Sequence, residues 1–436
     1  MSEPEAAVSK PTRRFLALLW CLVVATVLIP PLTMVPRSFD VFRTPKHVVF
    51  LALSLLLIAA AAAGALLSDE IARVLRARSA AVFLALAAAA WTGVTTLTSL
   101  RPIASLWKPL TAVCFAAFFT AVVILAARRG LPALVIVFVP ATINAIVALL
   151  QSTGVWYPWA VDPRVPQRLR TTGLIGNPND LGTYLVVPAI AAIAAAVVWR
   201  QRKWLFAVAA LLLIGVASAQ SITPVLAGAA GLFAMTITGG TRRLRVAAVV
   251  AALALVLAAS LHPGSRQRFE RLFSVASSGD LPEITSFRVM PAATALLMFR
   301  ERPLLGAGPG TFSATYMTEK LKADEAHPQW IRPRNPMFGQ VHNDHLQVLA
   351  ETGLPGYLLF IAGLALLASI TFRSSASGPQ ASDPRVRFAR LFAFPAALTF
   401  AVLALAQFPL QLTSPMVADL YLAALCFTWT ESNARA

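Results

Sequence analysis

Residues 47–67 read HVVFLALSLLLIAAAAAGALL, a run in which only His47 and Ser54 are polar, bounded by Arg43-Thr44-Pro45-Lys46 before it and Ser68-Asp69-Glu70 after it. A helix of about 20 apolar residues is about 30 Å long, which matches the hydrocarbon thickness of a bilayer. Apolar on all sides, such a helix has no face to offer to water. Similar runs recur along the chain. Of 436 residues, 58% are hydrophobic and 13% charged, where soluble domains carry about a quarter charged residues. A soluble globule is therefore excluded, and the length is read as one membrane bundle and not as several soluble domains.

Twelve candidate spans fall near residues 15–35, 47–67, 80–98, 109–127, 131–152, 181–198, 204–219, 224–238, 246–261, 356–372, 391–408 and 413–430. Placing Lys10, Arg13 and Arg14 in the cytoplasm puts the clusters Arg73/Arg76/Arg78, Arg128/Arg129, Arg200/Arg202/Lys203, Arg242/Arg243/Arg245 and Arg373/Arg385/Arg387/Arg390 on that same side, as the positive-inside rule asks of short loops. The expected fold is an all-α, polytopic transmembrane bundle of about 12 spans. It divides into a cytoplasmic tail (1–14), spans 1–9 (15–261) with an outward loop at 153–180, a long and partly helical outward segment (262–355) between spans 9 and 10, spans 10–12 (356–430) and a cytoplasmic tail (431–436). The first run follows basic residues without a clear small-residue cleavage site, so it is expected to stay as a signal anchor. Cys21, Cys114 and Cys426 all lie in apolar runs, so no loop holds a disulfide framework.

The net charge of +18 would indicate nucleic acid in a soluble protein. Here topology accounts for about half of the 37 basic residues. The rest lie on the outer side, and both long outward connections are basic, which favours an anionic ligand there. In the first, the aromatic cluster Trp156-Tyr157-Pro158-Trp159 is suited to headgroup depth; Arg164, Arg168 and Arg170 follow, then Thr171-Thr172-Gly173-Leu174-Ile175-Gly176-Asn177-Pro178-Asn179-Asp180. That ending is a turn with a helix cap, Asn179 or Asp180 accepting the first backbone N–H groups.

The second outward segment opens with Arg266, Arg268 and Arg271 and carries Arg288 ahead of an apolar stretch, 289–299, too short to span and expected to lie in the interface. The glycines of Leu304-Leu305-Gly306-Ala307-Gly308-Pro309-Gly310 permit tight turns. With no strand before them they do not make a nucleotide loop. Beyond Lys320, Lys322, Arg332 and Arg334 comes His342-Asn343-Asp344-His345-Leu346-Gln347, running to Glu351-Thr352-Gly353. On a helix His342 and His345 share a face. Three readings are open for them: a metal site with Asp344 or Glu351, although no usual ligand spacing is present; acid–base or phosphate-binding chemistry; or a structural cap, the favoured reading for His345.

Arg170 with Gly173-Leu174-Ile175-Gly176-Asn177-Pro178-Asn179, Arg288 ahead of Pro303-Leu304-Leu305-Gly306-Ala307-Gly308, and His342-Asn343 with Leu346, Gly353 and Gly356 follow one another in an order that resembles the O-antigen ligase and polymerase superfamily of bacterial inner-membrane glycosyltransferases. The resemblance covers about residues 150–360. It implies transfer of a glycan from undecaprenyl pyrophosphate, on the periplasmic face, to a lipid or glycan acceptor such as a lipid A core sugar, with Arg288 and His342 in the active site. Asn177, Asn179, Gly306, Gly308, Asn343 and Gly353 are the motif positions expected to shape it. The family often has Ser-Arg at the outer end of the span after the Asn-Pro-Asn motif. This chain has Ser221-Ile222, so Arg170 or a neighbouring loop arginine must supply that charge or the chain belongs to a divergent branch.

Arginine grips phosphate oxygens with two parallel hydrogen bonds and stays charged, which makes Arg288, Arg170 and Arg168 the expected pyrophosphate ligands. His342 is expected either as general base towards the acceptor hydroxyl or as a further phosphate ligand. With arginines neutralising the diphosphate, no metal or other cofactor is expected, and no nucleic-acid partner. A polymerase of the same superfamily is the first alternative. A transporter or flippase for a lipid-linked anion is the second, supported only by Asp419 inside the last span, which is expected to pair with a loop arginine or to cap a polar crevice.

Overall fold

The computed structural model describes residues 9–76, 79–238, 242–261, 270, 274–275, 277, 279–332, 337–372 and 382–431. Arg78, Arg266, Arg268, Arg271, Arg334 and Arg373, and the ends of both expected tails, lie outside the described residues.

Among the described residues all regular structure is helical, as expected. The longer helices are α1 (Lys10–Leu28), α2 (Arg43–Leu67), α3 (Ala80–Leu97), α4 (Lys108–Leu125), α5 (Leu131–Ser152), α6 (Pro178–Val198), α7 (Trp204–Ser218), α8 (Ile222–Thr238), α9 (Arg242–Leu261), α10 (Val289–Glu301), α11 (Phe312–Ala326), α12 (Asp344–Phe372), α13 (Pro384–Ala406) and α14 (Thr413–Glu431). Their starts are written locally. Ser79 and Asp383 cap α3 and α13 by accepting the N–H of Ala81 and Arg385, and Ser9 caps α1.

Among the described residues eight helical stretches, those of α1 to α6, α12 and α13, are long and apolar enough to cross a membrane. Helices α7 and α8 and the apolar part of α9 (Ala248–Leu257) are shorter, and α14 carries Asp419 in its second turn. The membrane-bundle class stands, while length and apolarity support eight crossings and do not establish the expected twelve.

The connections gather at two ends of the bundle. At one, Glu70 accepts from the hydroxyls of Ser9 and Thr12, Ser79 donates to Glu431, and Arg385 and Trp429 donate to the carbonyls of Ala127 and Arg129. At the other, Arg43 meets Asp180, Lys46 meets the carbonyl of Leu174, Arg302 meets that of Thr98, and Arg288 meets that of Ala406. This second end joins the segments read from sequence as outward.

Helix α6 is the centre, buried along almost its whole length. Its Ala- and Val-rich sequence keeps it slim, and between membrane helices close packing of small residues replaces the hydrophobic drive available in water. Gly231 of α8 shows how close the approach is: a Cβ there would meet Ile190 of α6 and Thr399 of α13.

Helix α12 begins at Asp344, well before the expected span at 356, and breaks at Gly353 (φ 69°, ψ −175°). The break explains the glycine loop. In a continuous helix the carbonyls of Ala350 and Glu351 would accept from residues 354 and 355. Here the N–H of Leu354 donates to Pro303 and Pro355 has none to give, so the two carbonyls instead accept from Ala307 (2.8 Å) and Gly308 (2.9 Å). Gly306 (φ 67°) and Gly353 lie backbone to backbone with these partners, and neither has room for a Cβ. The Glu351 carboxylate takes the N–H groups of Gly310 (2.8 Å) and Phe312 (3.1 Å). These amides, which a phosphate would need in a nucleotide loop, are spent on a carboxylate of the chain itself.

Candidate active site

The loop after α5 is positioned from inside the bundle. Asn144 and Gln151, both fully buried, stand two turns apart on one face of α5. The Asn144 carbonyl accepts from the N–H of Leu174 (2.8 Å), and that of Gln151 from Thr172 (2.9 Å) and Gly173 (2.8 Å). From the other side Lys46 donates to the carbonyls of Thr33 (2.5 Å) and Leu174 (2.7 Å). Leaving one such buried group unpaired costs about 1–3 kcal/mol, so Gly173-Leu174-Ile175 is fixed in place. The sequence reading passed over this pair of amides. Their seven-residue spacing within an otherwise apolar span was the available signal.

The loop delivers Asn177 as the cap of α6, its side chain accepting from the N–H of Asn179 (2.8 Å). This corrects the expectation that Asn179 or Asp180 caps the helix: both are turned to other partners. The Asn179 carbonyl accepts from Arg168 (3.0 Å) and from the Ser221 hydroxyl (2.9 Å), and Asp180 takes two hydrogen bonds from Arg43.

Asn179, Ser221 and Ile222 form one wall of a cavity of about 710 Å³. Arg288, Phe287 and Ser286 form another, and His342 with Asn343 a third; Ala406 and Gln407 complete it after α13. Arg288 is the residue before α10 and donates to the carbonyl of Ala406 (3.1 Å). Arg168 reaches this wall through Asn179 and the carbonyl of Gln220 (3.2 Å), next to the Ser221-Ile222 pair where the family's second arginine is expected. Arg170 is not brought to the cavity: its guanidinium lies over the Tyr157 ring, 5.9 Å from the centroid.

Among the described residues the non-glycine positions with left-handed backbone are Gln220, Ser286, Phe287 and His342 (φ 50° to 64°). Three of them line this cavity and the fourth adjoins Ser221. Side chains other than glycine resist this region, and such strain persists where the surroundings over-determine it, typically at functional sites.

His342 thus stands outside α12, which Asn343 caps by accepting from the N–H of Leu346 (3.0 Å). The expectation that His342 and His345 share a helical face is corrected. His345 turns away to the carbonyl of Ala401 (3.2 Å) and the hydroxyl of Tyr357 (3.3 Å), a structural role. The His342 ring packs edge-on against Phe338 (5.6 Å) and Phe408 (4.8 Å), and its Nδ1 is buried with no hydrogen-bond partner among the described residues. Burial, then the charges of Arg288 and Arg43, hold its pKa down to about 4, so the imidazole is neutral at ordinary pH. Arg43 enters this set unforeseen. It lies 5.3 Å from the Phe408 centroid, on the ring that also contacts His342.

Asp419, expected to pair with a loop arginine or to cap a polar crevice, does neither among the described residues. Neither of its oxygens has a hydrogen-bond partner, and it lines an apolar cavity of about 220 Å³ between α3, α12, α13 and α14. Among the described residues no three His, Cys, Asp or Glu side chains come together as a metal cage.

Fold and site define a multi-pass membrane protein with a large cavity, edged by arginine and histidine, at one end of its bundle. Residues 207–361 match the family model described as O-antigen ligase, so this part of the chain is similar to that family. The match takes in α8, Arg288, the glycine loop, His342 and the break in α12. No curated protein matches the chain.

Proposed function

We propose that the protein is an O-antigen ligase-type glycosyltransferase of the bacterial inner membrane, moving a glycan from undecaprenyl pyrophosphate to an acceptor hydroxyl on the periplasmic face. The observation that carries this reading is the joining of Arg288 and His342, 54 positions apart in the sequence, on the walls of one 710 Å³ cavity at the end of the bundle read as outward.

Cleaving the bond from the anomeric carbon to the diphosphate leaves negative charge on the departing oxygen. Arg288, with Arg168 behind Asn179, is placed to meet that charge in a site partly closed to water, where preorganised donors act most strongly. The acceptor oxygen attacks the anomeric carbon, its proton passes to a base, and the bond to phosphate breaks with inversion. His342 is the candidate base, since its neutral ring has a nitrogen lone pair to offer. Arg288, one of the two arginines that depress its basicity, is a group a diphosphate would neutralise, so donor binding raises its proton affinity when it is needed. No metal enters this scheme; activity lost to a chelator and restored by a divalent ion would overturn that part.

The test is the glycan profile of a deletion strain complemented with wild type, Arg288→Lys or His342→Ala. Long glycan stranded on the carrier in the deletion supports a ligase; single repeats delivered to the acceptor support a polymerase; an unchanged profile sinks both. Arg288→Lys keeps the charge and loses the two-pronged geometry, so rescue at wild-type level would remove the bidentate role.

A further inference from the structure

A second cavity, of about 250 Å³, shares no lining residue with the Arg288–His342 cavity. Arg43, Lys46 and His47 from the first turn of α2 and Lys108 from the first residue of α4 line it, together with Gln411 and Thr413 from the segment between α13 and α14. Asp180 is the one carboxylate in its described lining, and it is engaged with Arg43. Lys108 donates to the neutral amide of Gln411 (3.0 Å), and the two nitrogens of His47 meet the hydroxyls of Thr413 (3.2 Å) and Thr111 (3.3 Å). Two further carboxylates lie on the Lys108 side, but Asp344 accepts from the N–H of Leu410 and Glu351 from those of Gly310 and Phe312. Three cations thus converge on one small space against one lining carboxylate.

The position of the cavity indicates what it takes. Its cations stand in the first turns of two apolar helices, where a chain enters the membrane. Leu106 and Trp107, immediately before Lys108, are exposed large apolar side chains, and a tryptophan beside a lysine is characteristic of the headgroup layer. Phosphate esters of lipids lie at that depth.

We propose that this cavity is a second anion site, separate from the Arg288–His342 cavity, which binds a phosphate group borne on a lipid. Arg43 lines this cavity and also stands beside the Phe408 ring that contacts His342, so a lipid-borne phosphate held here would lie near the donor's diphosphate. Assigning that lipid as the acceptor rests on the glycosyl-transfer reading above; anion binding by the cavity does not.

The test uses the purified full-length chain in neutral detergent. Short-chain phosphatidylglycerol and inorganic phosphate are titrated in by calorimetry, with short-chain phosphatidylcholine as a headgroup without net charge. Gln411→Glu sets a carboxylate against Lys108, and Lys108→Met removes the cation; if one of the two fails to fold, the other carries the test. The expected result is phosphatidylglycerol binding by wild type and by Arg288→Gln, weakened at least tenfold in Gln411→Glu or Lys108→Met, with phosphatidylcholine much weaker throughout. Equal binding by wild type and both cavity variants, or none by wild type, overturns the site. Binding of inorganic phosphate with no binding of phosphatidylglycerol overturns the lipid-borne assignment. Because turnover is not measured, these outcomes are independent of whether the protein transfers glycan.

Discussion

Arg43 and Asp180, 137 positions apart, meet through two hydrogen bonds from the guanidinium Nε and Nη2 to a single carboxylate oxygen, at 3.1 and 2.7 Å. The carboxylate is almost fully buried and the arginine half exposed (3% and 49%). The pair ties the start of α2 to the start of α6 and holds Arg43 against Phe408. Removing Arg43 leaves a buried carboxylate without its cation, which for a fully buried pair costs about 3–5 kcal/mol; with the arginine half in solvent, about 2–3 kcal/mol is expected. Arg43→Ala should therefore unfold at clearly lower temperature than wild type, and Asp180→Asn less so, because an amide can still accept. Equal melting of Arg43→Ala and wild type would mean that the pair does not hold the two helices.

His342 gives a pH signature. Its pKa stands near 4 in the folded chain against about 6.5 when unfolded, so between these values the unfolded chain binds more protons. The neutral ring's contribution to stability is thus whole above pH 6.5 and is lost as pH falls towards 4. In kcat/KM, which reports the free enzyme, the acid limb assigned to this base should lie near pH 4 in place of 6.5. Removing a positive neighbour in Arg288→Gln should move that limb upward. A limb fixed at 6.5 in both proteins would rule out His342 as the group observed.

Replacing His342 by Ala should lower turnover by roughly 10²–10⁴-fold, the range general-base catalysis supplies, with thermal stability largely kept. Single-turnover kinetics on purified protein with a carrier-linked donor would measure it. A tenfold or smaller loss would reduce the histidine to a contact residue.

Arg168 and Asn179 should behave as one unit. Asn179→Ala removes the acceptor that aims the guanidinium, so Arg168→Ala in that background should lose less than it does in wild type. A double-mutant cycle in kcat/KM measures this coupling, and strictly additive losses would show that Asn179 does not position Arg168.

At Gly353 a side chain meets two obstacles, a backbone region nearly reserved for glycine and the carbonyl of Leu304. Gly353→Ala should cost about 3 kcal/mol or more and release the glycine loop from α12, seen as faster hydrogen exchange at Ala307 and Gly308. Glu351→Gln should be milder, since the amide oxygen can still accept one of the two N–H groups. Unchanged exchange in Gly353→Ala would disprove the lock.

The sequence by itself determined the membrane class, because a run such as 47–67 has one stable environment, and it singled out Arg288 and His342, which the fold brings to one cavity, because their motifs are local. It also rejected the nucleotide reading of the glycine loop, whose amides are occupied by Glu351. Only the tertiary structure decided which arginine approaches the cavity wall. Arg168 and Arg170 are two positions apart in one short helix, Gln167–Arg170, and point to different partners; nothing in their spacing distinguishes them. Arg43 was hidden for the same reason, since its place beside Phe408 depends on a partner 137 residues away. Periodicity reports how a segment meets its solvent, whereas a site is made by long-range contacts that fix directions, and those exist only once the helices have packed.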